Sequence, residues 1–166
     1  MRDQRATELF ETLFRQAENA GYHLNPDTEF TLDLVEGLLT NIDRYGYMAC
    51  PCRLAEGNRK RDLDIICPCD YRDADLQEYR ACYCGLYVSE SVKRGEEDIR
   101  PVPERRPPDE EDRPQYREPL GSPLEAGELP LPVHRCRVCG YLCARDEPPG
   151  KCPICGATKD RFERFA

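Results

Sequence analysis

No stretch of this 166-residue sequence approaches the length of an apolar run that crosses a bilayer. Its N-terminus, MRDQRATELFETLFRQ, is charged and helical in pattern, where a secretory leader is basic and then apolar. Histidine is scarce, and His23 and His134 lack any spacing that suggests ligation. A basic surplus is missing too: 24 Lys and Arg stand against 32 Asp and Glu, a net charge of -8, so no nucleic-acid surface is expected. Cysteine itself is absent between residues 85 and 135.

What is present is cysteine on either side of that gap. Six of the eleven lie between Cys50 and Cys84, and five between Cys136 and Cys155. An odd number without a leader argues against a secreted disulfide scaffold and for a reducing cytoplasm, where dense cysteine means metal binding or redox catalysis. Two separate clusters fit two metal sites better than one network.

The apolar pattern adds helices around the first cluster. Ala6, Leu9, Phe10, Leu13, Phe14 and Ala17 share one helical face that Gly21 ends. Asp27 caps a second helix carrying Phe30, Leu34, Val35, Leu38, Leu39 and Ile42 on one stripe, with Gly46 as its stop. A third, short helix is expected from Asp73, with Leu76 and Tyr79. Residues 96–132 hold nine prolines, eleven acidic and five basic side chains, and little apolar bulk. Such a segment buries too little surface to offset its ordering entropy and reads as an extended linker. The expected organisation is thus a mostly α cysteine-rich domain over 1–95, a Pro-rich charged linker over 96–132, and a small metal-nucleated β domain over 133–166.

The first cluster reads CPC at 50–52, CPC at 67–69 and CYC at 82–84. Zinc ribbons use Cys-x-x-Cys knuckles and bacterial ferredoxins use Cys-x-x-Cys runs, so three Cys-x-Cys pairs fit neither template. A [4Fe–4S] cluster takes four thiolates, and six minus four leaves the two required for one redox-active dithiol.

With RYGYMACPCRL, IICPCDY and CYCGLYVS around the pairs, residues 5–95 resemble the catalytic chain of ferredoxin:thioredoxin reductase and its microbial relatives. The resemblance implies that Cys50, Cys67, Cys69 and Cys82 bind a [4Fe–4S] cluster, and that Cys52 and Cys84 form the active-site disulfide. It further implies ferredoxin, or a similar one-electron donor, and a thioredoxin-like protein substrate. Two features depart from the family pattern. Fourteen residues separate the first two pairs and twelve the last two, whereas the plant-type first gap is longer and the second shorter. Tyr83 stands where the family has a histidine associated with proton handling, and a phenol is a far weaker acid and base at neutral pH.

The second cluster, CRVCGYLC at 136–143 and CPICG at 152–156, forms two knuckles from Cys136, Cys139, Cys152 and Cys155. Each following glycine lets the backbone aim amide N–H groups at sulfur. With Phe162 and Phe165 nearby, residues 133–165 resemble the short rubredoxin module of rubrerythrins, which implies one Fe(Cys)4 iron; spacing alone also allows zinc. Cys143 is left over as a free thiol. Tyr45, Tyr47, Tyr71, Tyr79 and Tyr87 crowd the first cluster as packing groups, and as a shield from water.

The expected activity is a ferredoxin-dependent disulfide reductase, with the rubredoxin site as an additional electron-transfer site and an outlet to a second, rubredoxin-linked acceptor. The alternatives are an iron–sulfur electron carrier without disulfide chemistry and a zinc-binding interaction protein.

Overall fold

The computed structural model describes residues 3–116 and 131–165. The chain divides into two compact units, Met1–Arg106 and Pro107–Ala166. Much of the expected linker, residues 117–130, lies outside the described residues.

Two long helices form the main core of the first unit. Helix α1, Gln4–Asn19, begins at Asp3, whose side chain accepts from the Arg5 amide, and Gly21 follows its end with a left-handed φ of 75°. Helix α2, Thr28–Tyr45, is capped by Asp27 accepting from the Phe30 amide at 3.0 Å and stops at Gly46, φ 81°. Their facing stripes bury Ala6, Leu13, Ala17, Leu34, Val35, Leu38 and Leu39 in one cluster that also contains Cys67 and Cys82. Phe14 and Phe30, expected on those stripes, are instead 42% and 40% exposed. Phe30 finds a different partner: its ring lies 3.3 Å from where a Cβ on Gly85 would stand.

Short strands fasten the cysteine segment to these helices. Strand β1, His23–Leu24, pairs antiparallel with β2, Tyr87–Val88. Isolated bridges join Ala49 to Ile66 and Ala81 to Val88. Each of Ala49, Ile66 and Ala81 immediately precedes a Cys-x-Cys pair, so a backbone pairing sets the chain as it enters every pair. The short third helix, α3, covers Arg72–Tyr79, and a one-turn helix, α4, covers Glu90–Lys93.

The first unit continues past residue 95. Val102 packs on Ala81, Val88 and Val92, and Glu104, Arg105 and Arg106 make ion pairs with Arg53, Asp75 and Asp64. Charge, rather than apolar area, holds this strip to the unit, and composition alone does not register that.

The second unit holds a three-stranded antiparallel sheet. Central β3, Val133–Cys136, pairs with β4, Leu142–Ala144, and with β5, Phe162–Arg164. Its core is Cys136, Val138, Cys152, Cys155 and Ala157, with Tyr141 and Phe162 packed against it. Since three of the five are cysteines, the core of this unit is largely a metal site. No described helix in either unit is long and apolar enough to cross a membrane.

Candidate functional site

Backbone hydrogen bonds between their loops join the first two Cys-x-Cys pairs. The Cys50 amide donates to Ile65 O and the Cys67 amide to Met48 O, both at 2.8 Å. The first pair also leans on α2, where Gly37 leaves room for Pro51: a Cβ at Gly37 would meet Pro51 Cβ at 2.8 Å. Around the third pair, the Cys82 amide donates to Tyr87 O at 2.9 Å and the Tyr87 amide donates to Cys82 Sγ at 3.2 Å.

Burial sorts the six thiols into two groups. Cys50, Cys67, Cys69 and Cys82 are buried, Cys84 is half-buried, and Cys52 is exposed. Burial, then the nearby Cys50, Cys69 and Cys82, pushes the Cys67 thiol well up. Burial likewise raises Cys69 to about 12, against the opposing pull of Arg53. Buried thiols such as Cys67 and Cys69 ionise at neutral pH only beside a compensating cation, and a set of four buried cysteine sulfurs is donor chemistry that fits a thiolate-bound iron–sulfur group.

Cys84 connects the two groups. Its sulfur lies 3.6 Å from Cys82 Sγ, and the neighbouring Cys50, Cys52 and Cys82 thiols push its own thiol well up. The hydrogen bond from Cys84 brings the exposed Cys52 thiol down to about 7. A thiol lowered this far supplies thiolate, the attacking form in disulfide exchange, at neutral pH.

Aromatic and charged side chains enclose the group. Tyr71 and Tyr87 are buried, and the Tyr71 hydroxyl donates to Asp64 at 2.7 Å. Tyr83 is half-buried and faces the Arg53 guanidinium. Tyr45 stacks on Tyr47 away from the thiols, and Tyr79 lies against Arg105. Arg53, Glu104 and Asp75 form part of this environment, although no motif marked them; an isolated glycine inside a helical pattern was the one available signal for Gly37.

In the second unit, the sulfurs of Cys136, Cys139, Cys152 and Cys155 lie within 4.8 Å of one another. The Cys136–Cys155 and Cys139–Cys152 separations are 3.7 and 3.6 Å. A tetrahedron with metal–sulfur bonds of about 2.3 Å has edges of about 3.8 Å, so these thiols fit a single metal ion. The hydrogen bond from Cys155, then the amides of Cys139 and Val138, hold the Cys136 thiol down to about 5. Burial raises the Cys139 thiol to about 12, and the bond with Cys136, then burial, push the Cys155 thiol up, against the opposing pull of the Tyr141 and Ala157 amides. Cys143 sits on β4 opposite His134, outside the four-sulfur group. His134 bonds Arg145 O, and His23 bonds Glu18, so both histidines have local partners.

Known proteins match the two units separately. Residues 2–104 match the family described as ferredoxin thioredoxin reductase catalytic beta chain, and residues 134–163 match the rubrerythrin, rubredoxin-like domain. The chain is 30% identical over 76 residues to a ferredoxin-thioredoxin reductase catalytic chain of Porphyra purpurea, covering 44% of this chain and 60% of that protein. It is 54% identical over 28 residues to reverse rubrerythrin-1 of Clostridium acetobutylicum, covering 17% of this chain and 16% of that protein. The chain thus spans less than two thirds of either relative. With a match over most of its length, and with the six thiols gathered as described, the chain belongs to the ferredoxin thioredoxin reductase catalytic beta chain family and carries a rubredoxin-like domain behind that part.

Proposed function

We propose that this protein is a ferredoxin-dependent disulfide reductase acting on thioredoxin or a related protein disulfide. In this reading Cys50, Cys67, Cys69 and Cys82 hold a [4Fe–4S] cluster, Cys52 and Cys84 are the redox-active pair, and Cys136, Cys139, Cys152 and Cys155 hold one iron for a further single-electron step. The observation that carries it is the half-buried Cys84, whose sulfur lies 3.6 Å from the buried Cys82 and which brings the exposed Cys52 thiol down to about 7.

A [4Fe–4S] cluster bound there supplies electrons one at a time, while a disulfide takes two. The chain's own sulfurs perform the exchange. Cys52 Sγ, as thiolate, attacks one substrate sulfur, forming a mixed disulfide and releasing the other substrate sulfur as a thiolate that takes up a proton. Cys84 Sγ then attacks Cys52 Sγ, which releases the second substrate thiol and closes the Cys52–Cys84 disulfide. Two electrons and two protons reopen it. The exposure of Cys52 suits the attacking role, and the partial burial of Cys84 suits the resolving one.

The test uses the full chain, purified without oxygen and given reduced ferredoxin and oxidised thioredoxin. Wild type should form thioredoxin thiols; Cys52→Ser and Cys84→Ser should not, while both keep their iron and sulfide. Cys84→Ser should also trap a mixed disulfide at Cys52. Full turnover in both variants rejects the assignment.

A further inference from the structure

Immediately after the exposed Cys52 the chain buries a cation. The Arg53 side chain is 1% exposed, and its guanidinium lies over two rings, 4.8 Å from the Tyr71 centroid and 4.5 Å from that of Tyr83. Nη1 donates to Cys69 Sγ at 3.1 Å, and Nε donates to Glu104 Oε1 at 3.0 Å and Oε2 at 3.2 Å. Nη2 makes no hydrogen bond; it stands 4.0 Å from Asp75 Oδ2, which also lacks a hydrogen-bond partner. Tyr71, Tyr83, Glu104 and Cys69 thus all hold one guanidinium.

Burying a guanidinium is costly, and it is retained only where strong partners compensate it. The carboxylate of Glu104 is one, but its side chain is 40% exposed, so water screens part of its charge. The sulfur of Cys69 is the buried partner. A hydrogen bond from a cation to a ligand sulfur stabilises the more negative, reduced form of an iron–sulfur site over the oxidised form and so raises its potential.

We infer that Arg53 is a positioning residue that sets the potential of the iron–sulfur site through Cys69, and that Tyr83 serves as the aromatic wall holding Arg53 in place. This rests on the reading of Cys69 as a cluster ligand. It also gives a physical reason for tyrosine at position 83. The negative face of a neutral phenol ring attracts a guanidinium, whereas an imidazole that takes up a proton there sets one cation against another. Glu104 completes the device from a part of the chain 51 residues away, orienting the guanidinium while offsetting part of its charge.

Opposite signs make the test decisive. The full chain and its variants are purified anaerobically, iron and sulfide are measured, and the potential of the first site is followed by electron paramagnetic resonance during stepwise reduction. Arg53→Met, which removes the cation, should shift the potential to a more negative value. Glu104→Gln, which leaves the cation less compensated, should shift it to a more positive one. Tyr83→Phe keeps the ring and should stay at the wild-type value, whereas Tyr83→Ala should move toward Arg53→Met. A merely structural role does not produce shifts of opposite sign at equal cluster content. Should Arg53→Met fail to retain iron, Glu104→Gln and the Tyr83 pair decide the matter. Unchanged potentials in Glu104→Gln and Tyr83→Ala overturn the inference, as does a Tyr83→Phe shift as large as that of Tyr83→Ala. Wild-type protein without sulfide overturns the cluster reading and this inference with it; intact sulfide with unmoved potentials overturns this inference alone.

Discussion

Gly37, in the middle of α2, faces Pro51 so closely that a Cβ on the glycine would lie 2.8 Å from the proline Cβ. The contact is with a rigid ring, so the Cys50–Cys52 loop itself has to move if the space is filled. Gly37→Ala gains about 1 kcal/mol of helix propensity but should lose roughly 1–3 kcal/mol to overpacking. The expected outcome is a lower unfolding midpoint together with reduced iron at the first site, read by denaturant unfolding and metal analysis.

Arg106, whose side chain is 10% exposed, bonds Asp64 at 3.0 Å and Asp62 at 3.2 Å, and both carboxylates are fully buried. Removing one partner from a buried ion pair costs about 3–5 kcal/mol because the remaining charge is left uncompensated. Arg106→Met should therefore destabilise the first unit by roughly that amount in urea unfolding. A chain ended after Gly95 should fare worse, since it also lacks Glu104 and Arg105, while one ended after Arg106 should retain its iron and sulfide.

Tyr47 is 5% exposed and its hydroxyl donates to Asp62 Oδ2 at 2.7 Å. Burial first, and then this bond, raises its pKa well above the ordinary value of 10.0. Above pH 10 the unfolded chain gives up this proton and the folded chain keeps it. The unfolded state then binds fewer protons, so the contribution is whole below pH 10 and is lost as pH rises further, at up to about 1.4 kcal/mol per pH unit. Unfolding free energies measured across that range should fall less steeply, by one proton, in Tyr47→Phe. At neutral pH the variant should cost only about 1–2 kcal/mol, because Asp62 still accepts from the amides of Glu56 and Gly57.

Anaerobically purified protein should contain about five irons and four sulfides per chain, one [4Fe–4S] cluster plus one mononuclear iron. Cys143→Ser should leave that content unchanged, because Cys143 lies outside the four-sulfur group. Zinc in place of all iron would defeat the reductase reading, whereas zinc at the second site alone would remove only its electron-transfer role.

The chemistry of this protein was legible in its sequence wherever the relevant residues are close along the chain. Asp27 and Gly46 bound α2 because a cap and a left-handed stop act on the few residues beside them. The knuckles of the second unit are similarly local, with ligands three residues apart and a glycine directly after each second cysteine, so their role as one four-sulfur group is legible from spacing. Distance along the chain hid the rest. The exposure of Phe14 and Phe30 depends on which part of a helical stripe other elements happen to cover, and periodicity does not contain that. Gly37 and Pro51 become neighbours only when the loop folds onto the helix. Arg53 had no assigned role because its compensating carboxylate, Glu104, comes from a strip whose composition reads as linker. By itself, then, the sequence determined the first three helices, the thiols and their grouping into two clusters, since each follows from residue type and short-range spacing. Tertiary structure alone decided which thiols are buried, which one is exposed, and which cation bonds a buried sulfur, because burial and buried charge pairing are set by segments that meet only in the folded chain.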